Sequence, residues 1–322
     1  MRKNGIASSK PANLFIATTF FVVVAYLFFN AASSMNYIWQ WNAIPKYFVY
    51  EKENIITAPI SGTLSLEDGK YYVVEDDSDY KEEVLLDASH ELAIAVGEYI
   101  YKNDTLASHS ETAAGPILNG LWMTIKISFF AALICFCIGI VVAFMRLSKF
   151  LFLNYIASVY IYIVRGTPLL VQILLFYFIV ANIFELSTFV AGVISLGVFF
   201  GAYMAEILRG AIQSIHQGQA EAGMSLNLSY FQRMRYIILP QAFRRSLPTL
   251  VGEMISLVKD SSLVSVISLT DLTKVGREIV ANTFSPFETW ICIALVYLSI
   301  TSLLTILGHY LEKRMKEQGG MG

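Results

Sequence analysis

The sequence predicts an all-α integral membrane protein with six transmembrane helices and a small extracytoplasmic insertion. The first observation is composition: the 322 residues are 56% hydrophobic, and the mean hydropathy of +0.57 exceeds that of an ordinary globular domain. The second is that six apolar stretches approach the length of about 20 residues needed to cross a bilayer. The third is that basic residues follow every second stretch, which places those loops in the cytoplasm by the positive-inside bias.

The first predicted span covers residues 14–32 and is preceded by three basic residues, Arg2, Lys3 and Lys10. We interpret it as a retained helix with its N-terminus inside, and a cleaved signal peptide is the alternative, since residues 31–34 are similar to a cleavage site. The other spans are predicted at 117–145, 168–184, 187–208, 247–267 and 290–309. Both termini are then cytoplasmic. The apolar segment 150–164 either lies along the membrane interface or extends the third span.

The insertion is acidic, whereas the rest of the chain is basic. Residues 33–116 hold fifteen Asp and Glu against five Lys and Arg, a net charge of −10, and the remaining residues have a net charge of +8. This asymmetry predicts a water-exposed outer region. β-prone stretches such as residues 70–74 and nearby turn signals indicate a small β-rich domain. The alternative is a solvated acidic loop with one local hairpin.

Two segments of the insertion, residues 56–62 and 96–104, weakly resemble the ends of half a biotinyl/lipoyl-type barrel. No hairpin lysine of the kind that such carriers modify accompanies them. The fold and the role of this region are therefore left open.

The most patterned polar stretch is a loop at residues 218–240. Residues 221–226 are predicted to form a short helix that ends at Asn227 in the left-handed conformation. Ser229 and Gln232 form a capping box at the start of a second helix, which Pro240 interrupts because proline lacks an N–H group. Four arginines place this region on the cytoplasmic side: Arg233, Arg235, Arg244 and Arg245.

This loop resembles the EAA loop of ABC-importer permeases, E-A-A-x3-G-x9-I-x-L-P. The matching residues are Glu221, Ala222, Asn227, Ile237, Leu239 and Pro240. Gly223 replaces the third Ala of the motif, and Asn227 replaces its Gly. Because Asn tolerates a positive φ, the turn is kept. Gly223 lowers helix propensity by up to about 1 kcal/mol and predicts a looser docking helix.

Flanking segments narrow the resemblance to the polar amino-acid importer permeases of the histidine, glutamine, glutamate and arginine type. These segments are residues 165–168 (RGTP), 201–206 (GAYMAE) and 258–263 (VKDSSL), and the resemblance covers residues 117–314. It implies a five-helix permease core, to which this chain adds one N-terminal helix. The predicted domains are an N-terminal transmembrane helix (1–36), the insertion (37–116), the permease domain (117–314) and a cytoplasmic tail (315–322).

The resemblance also implies a function and a set of partners. The chain would be a multi-pass permease subunit of an ATP-driven importer for a polar amino acid in the bacterial cytoplasmic (inner) membrane. Its partners would be a separate ABC ATPase that holds ATP and Mg²⁺, an extracytoplasmic amino-acid-binding protein, a second permease chain (itself or a paralogue) and membrane lipid, with no nucleic acid. The residues that would dock on the ATPase are Glu221, Ala222, Gly223, Asn227, Leu239 and Pro240.

Ionisable side chains within the spans are candidates for a substrate pathway, because charges in a membrane usually face a cavity or a partner. In a continuous helix Glu253, Ser256 and Asp260 share one face, and these carboxylates suit an ammonium group. Lys259, Ser261 and Ser262 could meet a carboxylate. Mutual pairing that fixes helix packing is the alternative, and for Glu206 it is an i,i+3 pair with Arg209. The complete predicted pathway is Thr167, Gln172, Tyr203, Glu206, Glu253, Ser256, Lys259, Asp260, Ser261 and Ser262.

Neither an enzyme nor a cofactor in this chain is expected. The sequence contains no G-x4-G-K-[ST] phosphate loop, no H-E-x-x-H and no G-x-S-x-G. Cys135 and Cys137 do not face each other on a helix, so neither a disulfide nor a metal site is favoured. The alternative functions are a membrane receptor that senses ligand through residues 33–116, for which no cytoplasmic output domain is evident, and an ion channel, for which no repeated pore loop is found. The sequence does not specify the amino acid or the choice between homodimer and heterodimer.

Overall fold

The computed structural model describes residues 10–34, 37–76, 80–86 and 90–317, which divide into two units at residues 42 and 43. The first unit contains helix α1 (Lys10–Ser34). Arg2, Lys3 and the last five residues of the predicted tail lie outside the described residues. The second unit begins with the short helix α2 (Pro45–Phe48) and contains the insertion and the membrane body.

The insertion consists of strands, and it starts directly after α2. One sheet is formed, in this order, by the strands Val49–Thr57, Thr105–Ala114 and Glu91–Leu92. The other is formed, in this order, by Lys81–Val84, Lys70–Val74, Gly62–Glu67 and Tyr99–Ile100. The strand Lys70–Val74 lies where the sequence predicts one. The strands are β1 (Val49–Thr57), β2 (Gly62–Glu67), β3 (Lys70–Val74), β4 (Lys81–Val84), β5 (Glu91–Leu92), β6 (Tyr99–Ile100) and β7 (Thr105–Ala114).

These strands enclose a hydrophobic core of their own. Its buried members are Ala58, Leu64, Val73, Val84, Ile100, Leu106 and Ala107. The interpretation as a solvated loop with one local hairpin is therefore wrong. The two segments that resemble a barrel half do meet: Ala58 N donates to Asp104 O at 2.9 Å, and Asn103 N donates to Ala58 O at 2.9 Å.

A two-stranded ribbon connects the core-containing part of the insertion, which we call the head, to the membrane body. From the pair Val49–Ala114 to the pair Asn54–His109, β1 and β7 are antiparallel and form no other pairing among the described strands. At about 3.4 Å per residue the ribbon is roughly 17 Å long. Its base is tight, because Gly115 N donates to Phe48 O at 2.6 Å and a Cβ on Gly115 would lie 2.3 Å from Tyr47 O.

The membrane body is helical from the end of β7 onward. Its helices are α3 (Pro116–Leu147), α4 (Leu151–Gly166), α5 (Leu169–Leu175), α6 (Thr188–Gln213), α7 (Gln217–Ser225), α8 (Tyr230–Arg233), α9 (Leu239–Asp260), α10 (Leu272–Thr283) and α11 (Pro286–Glu317). Wider π-turns follow α5 at Phe176–Ala181 and α8 at Met234–Ile238, and a 3-10 helix follows α9 at Ser261–Ile267. The main core lies among α3, α5, α6 and α9 around Ile127, Ile173, Phe200 and Leu257.

Within the described residues, α3, α6 and α11 are long and apolar enough to cross a membrane. They coincide with the second, fourth and sixth predicted spans. The pair α4 and α5 reaches this length only together and is bent by 108°. The apolar part of α1, Ala12–Leu27, is shorter. Helix α9 is amphipathic and charged, since it carries Arg244, Arg245, Glu253, Lys259 and Asp260.

The bend between α4 and α5 bears on the two predictions for residues 150–164. Because the chain turns by 108° at Thr167 and Pro168, α4 does not continue the third span as a straight helix, and the two helices together have the length of one broken span. Ala157, Ile161 and Val164 of α4 pack against the final part of α3 and the second half of α6. The helix therefore lies against the C-terminal ends of α3 and α6.

Candidate functional site

The loop that follows α6 has the predicted local structure. Asn227 has a φ of 60°, which ends α7 in the left-handed conformation, and its N–H donates to Met224 O at 2.8 Å. Ser229 begins α8 with a capping box: Ser229 N donates to Gln232 Oε1 at 2.8 Å, and Gln232 N donates to Ser229 Oγ at 3.3 Å. We call residues 217–240 the coupling loop.

Gly223 has a different environment from the one that the sequence suggests. It is buried and faces its own loop, where a Cβ would lie 2.9 Å from Arg233 Cγ and 2.9 Å from Ile237 Cδ1. This packing does not support a direct contact between Gly223 and a partner. The small size of Gly223 allows α7 to pack on the π-turn behind α8.

The opposite side of the coupling loop is exposed and is partly apolar. Glu221 and Ala222 are exposed on α7. Large apolar side chains surround them: Met224 is 53% exposed, Leu226 73%, Tyr230 63% and Phe231 71%. A charged residue within an apolar surface is typical of a protein–protein contact.

Contacts to α9 attach the coupling loop to the membrane body. Gln241 Nε2 donates to Gln219 Oε1 at 3.2 Å, and Arg245 Nη1 donates to Ser214 O at 2.6 Å. Pro240 lies in the first turn of α9, where its missing N–H needs no partner. The α-helical hydrogen-bond pattern of α8 is interrupted directly before it, by the π-turn at Met234–Ile238.

The carboxylate face on α9 has the predicted geometry. The helix is continuous through Asp260, and Glu253, Ser256 and Asp260 are all half-buried. Neither carboxylate forms a hydrogen bond or an ion pair with another described residue. The two carboxylates are thus available to a ligand or to a second protein chain.

Lys259, Ser261 and Ser262, which were expected to meet a substrate carboxylate, differ in how exposed they are. Lys259 is exposed and Ser262 is half-buried. Ser261 is fully buried in the 3-10 helix, and its hydroxyl donates to Val258 O at 2.8 Å. Placing Ser261 in an open pathway is therefore wrong.

Thr167 and Gln172 stabilise the bend between α4 and α5. The buried Gln172 amide donates to Val164 O and to Thr167 Oγ1, both at 2.7 Å. Thr167 Oγ1 in turn donates to Ile163 O at 2.9 Å. Because these polar groups are satisfied within the bend, placing Thr167 and Gln172 in a substrate pathway is not supported by their contacts.

Glu206 lies within a group of arginines, which we call the arginine cluster: Arg146, Arg165, Arg209 and Glu206. Arg209 forms a two-point contact with the Glu206 carboxylate, with Nε at 2.9 Å and Nη2 at 2.8 Å. This is the i,i+3 pair that was the alternative for Glu206. Arg146 and Arg165 are also close, at 3.8 and 3.9 Å from its oxygens.

Tyr203 belongs to the same region, because its ring lies 5.0 Å from the Arg165 guanidinium. Arg146 and Arg165 are not among the predicted site residues. One signal was available: residues 116–184 contain no Asp or Glu but include Lys126, Arg146, Lys149 and Arg165. Two of these basic residues, Arg146 and Arg165, lie beside a carboxylate on another helix, Glu206.

The described residues contain no group of three His, Cys, Asp or Glu side chains that could hold a metal ion. The site consists instead of an exposed cytoplasmic-type loop, a polar helix joined to it and an apolar helical body. These features define the membrane subunit of a transporter that is driven through a loop.

Comparison with known proteins assigns the family. The model of the family described as "Binding-protein-dependent transport system inner membrane component" matches residues 135–317. The chain belongs to this family.

The relatives are permeases of about two thirds of this chain's length. The glutamine transport system permease protein of Escherichia coli K12 is 40% identical over 203 residues, which are 62% of this chain and 93% of that protein. The arginine transport system permease protein of Bacillus subtilis is 36% identical over 202 residues, 62% of this chain and 92% of that protein.

Solved structures agree with this assignment. A crystal structure of an amino acid ABC transporter with histidines matches with a TM-score of 0.58 and 40% identity, over 62% of this chain and 94% of that one. A methionine ABC transporter in an inward-facing conformation matches with a TM-score of 0.52 at 18% identity, which indicates a shared fold.

Proposed function

We propose that this protein is the permease subunit of an ABC importer for a polar amino acid in the bacterial inner membrane. The proposal rests chiefly on the coupling loop, in which Glu221 and Ala222 are exposed on a capped helix at the spacing of ABC-importer permeases. The 40% identity to a glutamine permease and the 36% identity to an arginine permease support an amino acid as substrate. The chain spans the membrane six times, with both termini in the cytoplasm and the insertion outside.

Transport depends on partners. A separate ATPase binds ATP and Mg²⁺ and docks on the exposed side of α7, and two permease chains, identical or paralogous, form the pathway. Closure of the ATPase dimer pushes α7, and the contacts from Gln219 to Gln241 and from Ser214 to Arg245 carry this movement to α9. The substrate passes along the face of Glu253, Ser256 and Asp260, where a carboxylate receives its ammonium group.

The docking proposal is tested by co-purification from native membranes in mild detergent. The variant Glu221→Lys reverses one exposed charge on α7 and should remove the ATPase from the purified permease while leaving its amount in the membrane unchanged. A matched control is Glu312→Lys, which reverses a carboxylate near the end of α11. Retention of the ATPase by Glu221→Lys would refute the assignment of the docking surface.

We propose further that the insertion docks the extracytoplasmic binding protein. Support comes from its compact core, its acidic charge and the ribbon that holds it roughly 17 Å from the start of α3. Residues 53–110 can be replaced by an Asn-Gly turn that joins the paired residues Lys52 and Glu111. Uptake should then fall while the permease still co-purifies with its ATPase. Unchanged uptake at low substrate concentration would rule out this role.

A further inference from the structure

We infer that the arginine cluster and the adjacent face of α4 form a binding site for the phosphate headgroup of an anionic phospholipid. The site lies at the C-terminal ends of α3 and α6.

The first argument is charge. Three guanidinium groups surround one carboxylate, so the cluster has a formal net charge of +2. Arg209 occupies both Glu206 oxygens, whereas Arg146 and Arg165 stay at 3.8 and 3.9 Å, beyond normal hydrogen-bond distance. Arg209 alone therefore makes close hydrogen bonds to the Glu206 carboxylate. The two other arginines retain donors for a further anion.

The second argument is the unused hydrogen-bonding capacity of these two side chains. Arg146 Nε is buried and has no hydrogen-bond partner among the described residues, although Arg146 Nη1 donates to Asn154 and Ser158 at 2.7 and 2.8 Å. These contacts hold the guanidinium in place. Arg165 stacks on Tyr203 and makes a long contact to Glu206, and it also interacts electrostatically with Glu253. A phosphate prefers such pre-positioned guanidinium groups.

The third argument is space. A cleft of about 410 Å³ opens beside the cluster, and it is lined by Arg146, Ser158, Tyr162, Arg165, Tyr203 and Glu206. Its lining combines two cations, one carboxylate, a serine hydroxyl and two tyrosine rings. It can admit a phosphate together with part of a glycerol group.

The fourth argument is the outer face of α4, which identifies the source of the phosphate. Large apolar side chains lie at i, i+3, i+4, i+7, i+10 and i+11 on this helix and are all exposed: Phe152, Tyr155, Ile156, Val159, Tyr162 and Ile163. This spacing forms one stripe along the helix. Tyr162, which is 82% exposed, belongs both to the stripe and to the cleft. A lipid can therefore place its acyl chains along α4 while its phosphate lies between Arg146 and Arg165, which a free phosphate cannot do.

The test measures bound lipid rather than transport. Full-length permease is purified from membranes in mild detergent, and the phosphatidylglycerol that stays bound is counted by native mass spectrometry. Arg165→Gln should weaken retention about fivefold, the usual effect of one arginine near an anionic surface. Arg146→Gln should act in the same direction. Lys126→Gln is the matched control, because Lys126 lies in the first half of α3, far from Arg146 in its last turn, and it should retain as much lipid as the native protein.

A second measurement distinguishes the sources of the phosphate and guards against misfolding. In phosphatidylcholine nanodiscs, addition of phosphatidylglycerol should raise the melting temperature of the native protein and of Lys126→Gln. It should raise the melting temperature of Arg165→Gln by a smaller amount. Inorganic phosphate should raise none of them. Equal lipid retention by all variants, or stabilisation by inorganic phosphate alone, would overturn the inference. So would an Arg165→Gln variant that binds lipid normally but has a raised KM for uptake, because the cleft would then belong to the substrate pathway.

Discussion

Two carboxylates in the membrane body have opposite surroundings. Glu206 on α6 is enclosed by three arginines, one of which contacts both of its oxygens within 2.9 Å. Glu253 on α9 is half-buried together with Asp260 and has no ion pair among the described residues. Both were predicted to line one pathway, yet only Glu253 is free to bind something else.

The difference in pairing between Glu206 and Glu253 suggests which carboxylate stabilises the protein and which one binds a ligand. A carboxylate that is fully paired within its own chain stabilises the packing of the helices that supply its partners. A carboxylate left unpaired in a half-buried position lowers stability and persists where a ligand or a second chain uses it. We therefore propose that Glu206 holds α3, α4 and α6 together, and that Glu253 and Asp260 serve transport.

The largest expected effect is that of Glu206→Gln on stability. The change removes the charge that holds three guanidinium groups together, so we expect a loss of roughly 2–3 kcal/mol, somewhat below the value for fully buried pairs. The loss is measured as a lower melting temperature in a neutral detergent. Glu312→Gln is the control and should be nearly silent. If both variants melt at the same temperature as the native protein, Glu206 has no structural role, and the distinction drawn between Glu206 and Glu253 is wrong.

The next effect concerns the bend that places Arg165 beside Glu206. In Gln172→Leu the carbonyl of Val164 loses its buried donor, which should cost about 1–3 kcal/mol. Asn182→Leu removes a similar amide-to-backbone bond at an exposed position and should cost much less. The two melting temperatures are compared directly. Equal losses would mean that burial of the Gln172 amide is irrelevant to the bend.

A smaller effect on stability, with a large effect on transport, is expected at Glu253. Glu253→Gln should leave the free energy of unfolding unchanged or raise it by up to about 1 kcal/mol, since no ion pair is lost and a half-buried charge is removed. Uptake of cationic amino acids into membrane vesicles should nevertheless fall at least about tenfold, as expected when a 1.4 kcal/mol interaction is lost. An equal loss of uptake for neutral and cationic substrates would indicate packing instead of charge recognition.

The smallest effect is expected at Gly223, which is remote from both carboxylates. Gly223→Ala gains up to about 1 kcal/mol of helix propensity. The new methyl group would lie 2.9 Å from Arg233 Cγ and from Ile237 Cδ1, so both side chains must shift, which offsets this gain. Stability and ATPase co-purification should therefore stay near the native values. A dissociated ATPase would show that the packing inside the coupling loop, and not only its exposed side, determines docking.

Local features were predictable from the sequence and non-local ones were not. The capping box of Ser229 and Gln232 and the positive φ of Asn227 depend on residues that are close in the chain, and both are confirmed. The burial of Gly223 depends on Arg233 and Ile237, which reach it only after α8 and the π-turn have formed.

The arginine cluster and the insertion illustrate the same limit. Arg146 and Arg165 meet Glu206 only after three helices have packed, and periodicity within one helix carries no information about this contact. The bend between α4 and α5 results from a side chain that donates backward to Val164, which a hydrophobicity pattern cannot reveal. In the insertion, β3 was predictable, whereas the pairing of β1 with β7 closes a loop from Thr57 to Thr105.

Because of the ribbon, the head of the insertion can be transferred to another protein as one unit. Val49 and Ala114 are paired at its base, and the Cα atoms of such a pair lie only about 5 Å apart. The head therefore enters and leaves the permease at nearly one point, so its addition between α2 and α3 need not disturb the helices that follow. For the same reason, the segment from Val49 to Ala114 can be grafted before the first core helix of a short relative, which would gain this outer domain without any change to its membrane body.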